Sequence, residues 1–135
     1  MISMIIVSTP EAVYGAIENI MSALAGREMS EEAFYDVKLI LSELFVNAMI
    51  HGNGQDPARK IAVDYLFSGE KLKLTITDEG AGFDHGRLYD PLAAGNVMKI
   101  SGRGIFLVKN LADRLEFNEK GNSVTVEKTL GRRIQ

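Results

Sequence analysis

The chain has 135 residues, is 46% hydrophobic and carries a formal net charge of −3. That suits one domain with a real core and offers no basic footprint for direct nucleic-acid contact. No cysteine is present, so disulfide and thiolate chemistry are excluded, and with two histidines a zinc site is not expected.

Residues 2 to 7 predict a short strand. The start, MISMIIVS, lacks the basic region of a signal peptide. No apolar run reaches the roughly 18 residues that a membrane span needs. Cysteine-free composition fits a reducing cytoplasm. Thr9 ahead of Pro10 is an N-cap followed by proline at the first helical position. Val13, Ala16, Ile17, Ile20 and Leu24 then give a helical stripe over about 10 to 25, and Gly26 ends it. Ser30 caps the next helix, with Glu31 and Glu32 in its first turn and a Met29–Phe34 staple. This helix is expected to run to about His51, with Gly52 as its C′ residue.

The period then changes. Ile61, Val63, Tyr65 and Phe67 share one face of a strand, SGE turns, and Leu72, Leu74 and Ile76 alternate with Lys71, Lys73, Thr75 and Thr77. Glycine recurs from 80 to 102, which reads as a long loop with a lid over about 84–101. A helix over about 103 to 112 follows, then strands around Leu115–Phe117 and Val124–Val126 separated by NEKGN. The order β-α-α-β-β-loop-α-β-β implies an α+β fold: a two-layer α/β sandwich, a mixed β-sheet with helices packed on one face.

Three places carry chemistry. Glu43, Asn47 and His51 are spaced by four, which puts them on one helical face inside an apolar segment. An Asn can offer magnesium a neutral oxygen while phosphate and water complete the shell. A Glu one turn away can hold a hydroxyl and take its proton. The plain alternative is a solvated Glu and a helix-end His. Asp78 continues the inward face of Leu72, Leu74 and Ile76, and DEGAGF follows. An inward carboxylate beside Gly80 and Gly82 can accept from an exocyclic amine such as adenine's; the other reading is a turn-capping Asp. SGRGIF leads two glycines into a helix start, where free N–H groups favour an anion. Lys99 and Arg103 stand near it, as phosphate partners or as solvated charges.

Taken in order, these motifs resemble the GHKL group of ATPases, whose histidine-kinase-like fold is shared with gyrase. ELFVNAMIHG is similar to the N box of that group, DEGAGF to its first glycine box and SGRGIFLVKNLAD to its second. The likeness covers roughly residues 8 to 130 and is strongest to the bacterial anti-sigma factor serine kinases, which are short single domains. It implies one domain over 1–135 that binds ATP and Mg2+. By that resemblance Glu43 is the base or water-holder, Asn47 the Mg2+ ligand and Asp78 the partner of adenine N6, with Gly82 beside the base and Gly80 a nucleotide-binding glycine of the same box. Gly102 and Gly104 would line the phosphates, in a box that also holds Arg103 and Ile105. Where relatives carry a Gly-Thr pair whose Thr helps bind adenine, this chain has GNSV, leaving Asn122 and Ser123 as candidates.

The function so implied is an anti-sigma factor with serine/threonine kinase activity. Its partners would be a sigma factor and a small antagonist protein phosphorylated on Ser, and it would act as a cytoplasmic homodimer. The competing reading is a nucleotide-binding regulator that controls a partner by binding, without kinase turnover; a third is a detached ATPase module of a phosphorelay.

Overall fold

Thr9 and Ser30 start the two long helices as their side chains dictate. The computed structural model describes residues 1–81 and 100–131, the side chains of 100–103 apart. Strand β1 (Ile2–Val7) leads into α1 (Pro10–Ala25), where Thr9 Oγ1 accepts from the Ala12 N–H at 3.2 Å. Helix α2 (Glu31–Val46) begins where Ser30 Oγ accepts from the Ala33 N–H at 3.1 Å. A π turn (Asn47–Gly52) continues it. Strands β2 (Lys60–Ser68) and β3 (Lys71–Asp78) form a hairpin, turned by Gly69 at φ +61°. Helix α3 (Ile100–Leu111), β4 (Arg114–Phe117) and β5 (Ser123–Thr129) complete the order.

The five strands lie in the order β1-β2-β3-β5-β4. One face is apolar: Ile61, Val63, Tyr65, Leu72, Leu74, Ile76, Val124 and Val126 are buried under the helices. Ile20 and Leu24 of α1, Leu41, Leu44 and Phe45 of α2, and Ile105 and Val108 of α3 meet them. Each such side chain contributes about 1.5–3 kcal/mol by leaving water. The opposite face is polar and locally paired, with Thr75–Thr125 hydroxyls at 2.9 Å and Thr77–Ser123 at 2.7 Å.

The sheet differs from the mixed one expected. Every strand pair among the described residues is antiparallel. Two helices separate β1 from β2, so the chain returns reversed instead of crossing over. Strands β3 and β4 do point the same way, but β5 lies between them and is antiparallel to both. The two-layer α+β architecture is otherwise as the element order implies. Helix α3 starts earlier than expected, at Ile100, so the last two residues of the expected lid belong to it. The rest of that lid lies outside the described residues.

Candidate functional site

The column of Glu43, Asn47 and His51 is broken by the π turn. Wider winding moves each later residue around the axis relative to an α-helix. Asn47 is buried, Glu43 is half-buried and His51 is exposed. Asn47 Oδ1 is a buried side-chain oxygen without a hydrogen-bond partner among the described residues. Such an orphan acceptor is costly unless something fills its lone pairs.

Gly52 is not the left-handed cap expected from its place after His51. The positive φ angles fall instead at Gly54 (+61°) and Gln55 (+59°). What Gly52 provides is room: a β-carbon there would stand 2.2 Å from Asp78 Oδ2. Gly80 packs as closely, since its β-carbon would stand 2.0 Å from the Gly52 carbonyl oxygen. The π turn and the exit of β3 are thus pressed together through two glycines. Asp78 sits buried between them, as the parity of β3 predicts. Its Oδ1 accepts from the Gly80 N–H at 2.8 Å. Burial raises its pKa, while the Gly80 N–H and the charges of Lys120 and Arg59 pull the other way. Asp78 and Asn47 line the same small cleft, walled by Leu44, Ile76 and Phe117.

Helix α3 closes another side. A β-carbon on Gly104 would stand 2.3 Å from Glu43 Oε2, so Glu43 lies directly on the α3 backbone. Ile105 is buried and packs into the core beside Val108. Gly102 and Arg103 lie in the first turn of α3. Gly82 and Lys99 lie outside the described residues.

Asn122 and Ser123 point to different places. The Ser123 hydroxyl pairs with Thr77 on the polar face of the sheet. Asn122 lines the cleft, but its Nδ2 donates to the Asp78 carbonyl at 3.0 Å and its Oδ1 accepts from Asn118 Nδ2 at 2.7 Å. Its backbone carbonyl also accepts from the Asp78 N–H at 2.9 Å.

One residue escaped the sequence reading. Asn53, in the Asn-Gly pair after the π turn, is buried. Its Nδ2 donates to Ser8 Oγ at 2.6 Å and to the Lys60 carbonyl at 3.0 Å, and its Oδ1 accepts from the Glu79 N–H at 2.8 Å. Asn-Gly signals a turn, and nothing in the residue pattern marks that Asn as core.

The structure thus brings together a buried carboxylate, a half-buried carboxylate over a helix backbone and a carboxamide oxygen that is unfilled among the described residues. Among the described residues, no three His, Cys, Asp or Glu side chains cluster to hold a metal ion. A single neutral oxygen suits magnesium, which keeps most of its shell as phosphate and water. The family profile described as "Histidine kinase-like ATPase domain" matches residues 6–128. The chain belongs to that family. It is 30% identical over 102 residues to an anti-sigma F factor of Oceanobacillus iheyensis, covering 72% of this chain and 70% of that one. It is 31% identical over 116 residues to a serine-protein kinase RsbW of Listeria monocytogenes, covering 80% and 74%. An anti-sigma F factor of Bacillus cytotoxicus is 30% identical over 95 residues, covering 69% and 65%. No helix among the described residues is long and apolar enough to cross a membrane.

Proposed function

We propose that this protein is an ATP-dependent serine/threonine kinase that also restrains a sigma factor, and that its kinase substrate is a small antagonist protein. The observation that carries the reading is Asn47 Oδ1, without a hydrogen-bond partner among the described residues, buried one turn beyond Glu43 and sharing a cleft with Asp78. Relatives named as anti-sigma factors and serine-protein kinases support the choice of partner and acceptor.

Each residue has one task. Asp78, buried and braced by the Gly80 N–H, accepts from the adenine amine. Asn47 Oδ1 offers a neutral oxygen to Mg2+. When bound, Mg2+ neutralises phosphate charge and ATP supplies the phosphoryl group. Glu43 takes the proton from an incoming serine hydroxyl. The N-terminal turn of α3 presents backbone N–H groups toward phosphate, next to Glu43. Positioning and charge neutralisation supply most of such catalysis.

A homodimer is part of the proposal. Strand β1 lies at the sheet edge, with Ile5 71% and Val7 44% exposed on the face away from the helices. An apolar edge strand, unpaired on its outer side among the described residues, invites a second chain. Light scattering should give twice the chain mass, and Ile5→Glu should return it to one.

The kinase reading is tested with labelled ATP, the purified protein and small proteins from neighbouring reading frames. Label should appear on a serine of one of them. Nucleotide binding without any transfer would favour control by binding alone.

A further inference from the structure

We infer that Asn53 is a positioning residue for nucleotide recognition, acting through the Asp78–Glu79 peptide. The inference rests on the ATP reading of the site. That peptide is pinned at both ends by carboxamides. Asn53 Oδ1 takes its N–H, which belongs to Glu79, at 2.8 Å. Asn122 Nδ2 holds its C=O, which belongs to Asp78, at 3.0 Å. The direction of the Asp78 side chain follows from the orientation of this peptide.

Asn53 is suited to the task because nothing of it is left over. Both hydrogens of its Nδ2 are placed, on Ser8 Oγ and on the Lys60 carbonyl. Its own N–H donates to the Ala48 carbonyl at 2.8 Å, and its own carbonyl accepts from the Asp56 N–H at 3.1 Å. A buried and fully satisfied carboxamide has one orientation. It ties the end of β1, the start of β2 and the π turn to the exit of β3. The Glu79 carboxylate also accepts from the Lys60 N–H, but that bond holds the Glu79 side chain and not the peptide after Asp78. On the other flank, Asn118 Oδ1 gathers the N–H groups of Gly121, Asn122 and Ser123. That turn fixes the backbone on either side of Asn122.

The expected consequence is a loss of base discrimination, not of phosphate binding. Calorimetry with non-hydrolysable ATP and its inosine counterpart reads this, because inosine carries a carbonyl in place of the amine. Asn53→Ala should lower the ATP-over-inosine preference by about tenfold, the scale of one buried donor left unmatched. In an Asp78→Asn background the same change should leave the ratio where Asp78→Asn alone puts it. Folded Asn53→Ala protein that binds both nucleotides more weakly by the same factor would overturn the inference. If Asn53→Ala does not fold, Ser8→Ala removes only the 2.6 Å bond that seats the carboxamide. It should lower the ratio about threefold, and an unchanged ratio would count equally against Asn53. A wild-type protein with no preference for ATP would instead remove the adenine role of Asp78, and this inference with it.

Discussion

Glu43 and Gly104 interlock across the contact of α2 with α3: a β-carbon on Gly104 would stand 2.3 Å from Glu43 Oε2 and 3.2 Å from its Cδ. The clash is with the far end of a flexible side chain, so the fold can absorb it by moving Glu43. Alanine is also the better helix former, by about 1 kcal/mol. Gly104→Ala should therefore keep or raise thermal stability. Phosphoryl transfer should nonetheless fall by about 10²-fold, because the proposed base is displaced. Unfolding scans and single-turnover kinetics on the same preparation check both halves.

Removing Glu43 and removing Asn47 should have different signatures. Glu43→Ala takes away a negative charge near the phosphates and should leave ATP affinity equal or slightly higher. Transfer should drop by about 10²–10⁴-fold, the usual worth of a positioned base. Asn47→Ala should lose Mg-ATP affinity as well as transfer. Analogue affinity with and without magnesium, measured beside single-turnover transfer, separates the two. Full transfer activity in Glu43→Ala would rule out the base role.

Asp78→Asn keeps an oxygen for the Gly80 N–H and removes a buried charge, so the folded state should be at least as stable. Adenine binding should fall by about tenfold or more, since an acceptor pair has become half donor. The pH dependence follows from the same burial. The folded pKa lies above the ordinary 3.8, so folded protein holds this proton at a pH where the unfolded chain has released it. Ionised Asp78 therefore subtracts from stability above its folded pKa, and that cost is relieved as pH falls through it. Adenine binding runs the opposite way, weakening over the same interval as the carboxylate is protonated. Parallel titrations of stability and analogue affinity should show these opposed trends, and Asp78→Asn should flatten both.

Lys128 ties three elements together. Its Nζ donates to the Leu111 carbonyl at the end of α3 at 2.7 Å and meets Asp36 Oδ2 of α2 at 3.2 Å. The pair is mostly shielded from solvent, with side-chain exposures of 14% and 21%. Lys128→Ala should cost about 1–3 kcal/mol in denaturant unfolding, by leaving the Asp36 carboxylate without this partner. Lys128→Met, which keeps the stem, should cost less.

The parts of the molecule that depend on near neighbours were legible in the sequence. Thr9–Pro10 and Ser30 set helix starts because a cap is a contact over three residues. Strand parity alone turns Asp78 inward. The unread parts depend on distant partners. Spacing by four puts His51 in the Glu43 column only under α winding, and the π turn removes that condition. Gly52 read as a helix stop, yet its missing side chain makes room for a carboxylate 26 residues away. Asn53 read as a turn residue, and its burial comes from Ser8, Lys60 and Glu79, which no local pattern connects. The antiparallel sheet is hidden for a similar reason, since element order does not state which strand inserts between β3 and β4.

The π turn makes the site depend on how the chain is wound between Asn47 and Gly52, as well as on which residues lie there. A π winding holds about one more residue per turn than an α-helix. Rewinding this segment as an α-helix would leave every proposed ligand of the nucleotide in the chain. With every residue kept, it would also turn Gly52 by roughly one residue's rotation, about 100°, around the axis. The gap that admits Asp78 would then face elsewhere. A protein altered in this way would align perfectly with its parent and yet lack the pocket, so the winding of this turn is as much a part of the site as its side chains.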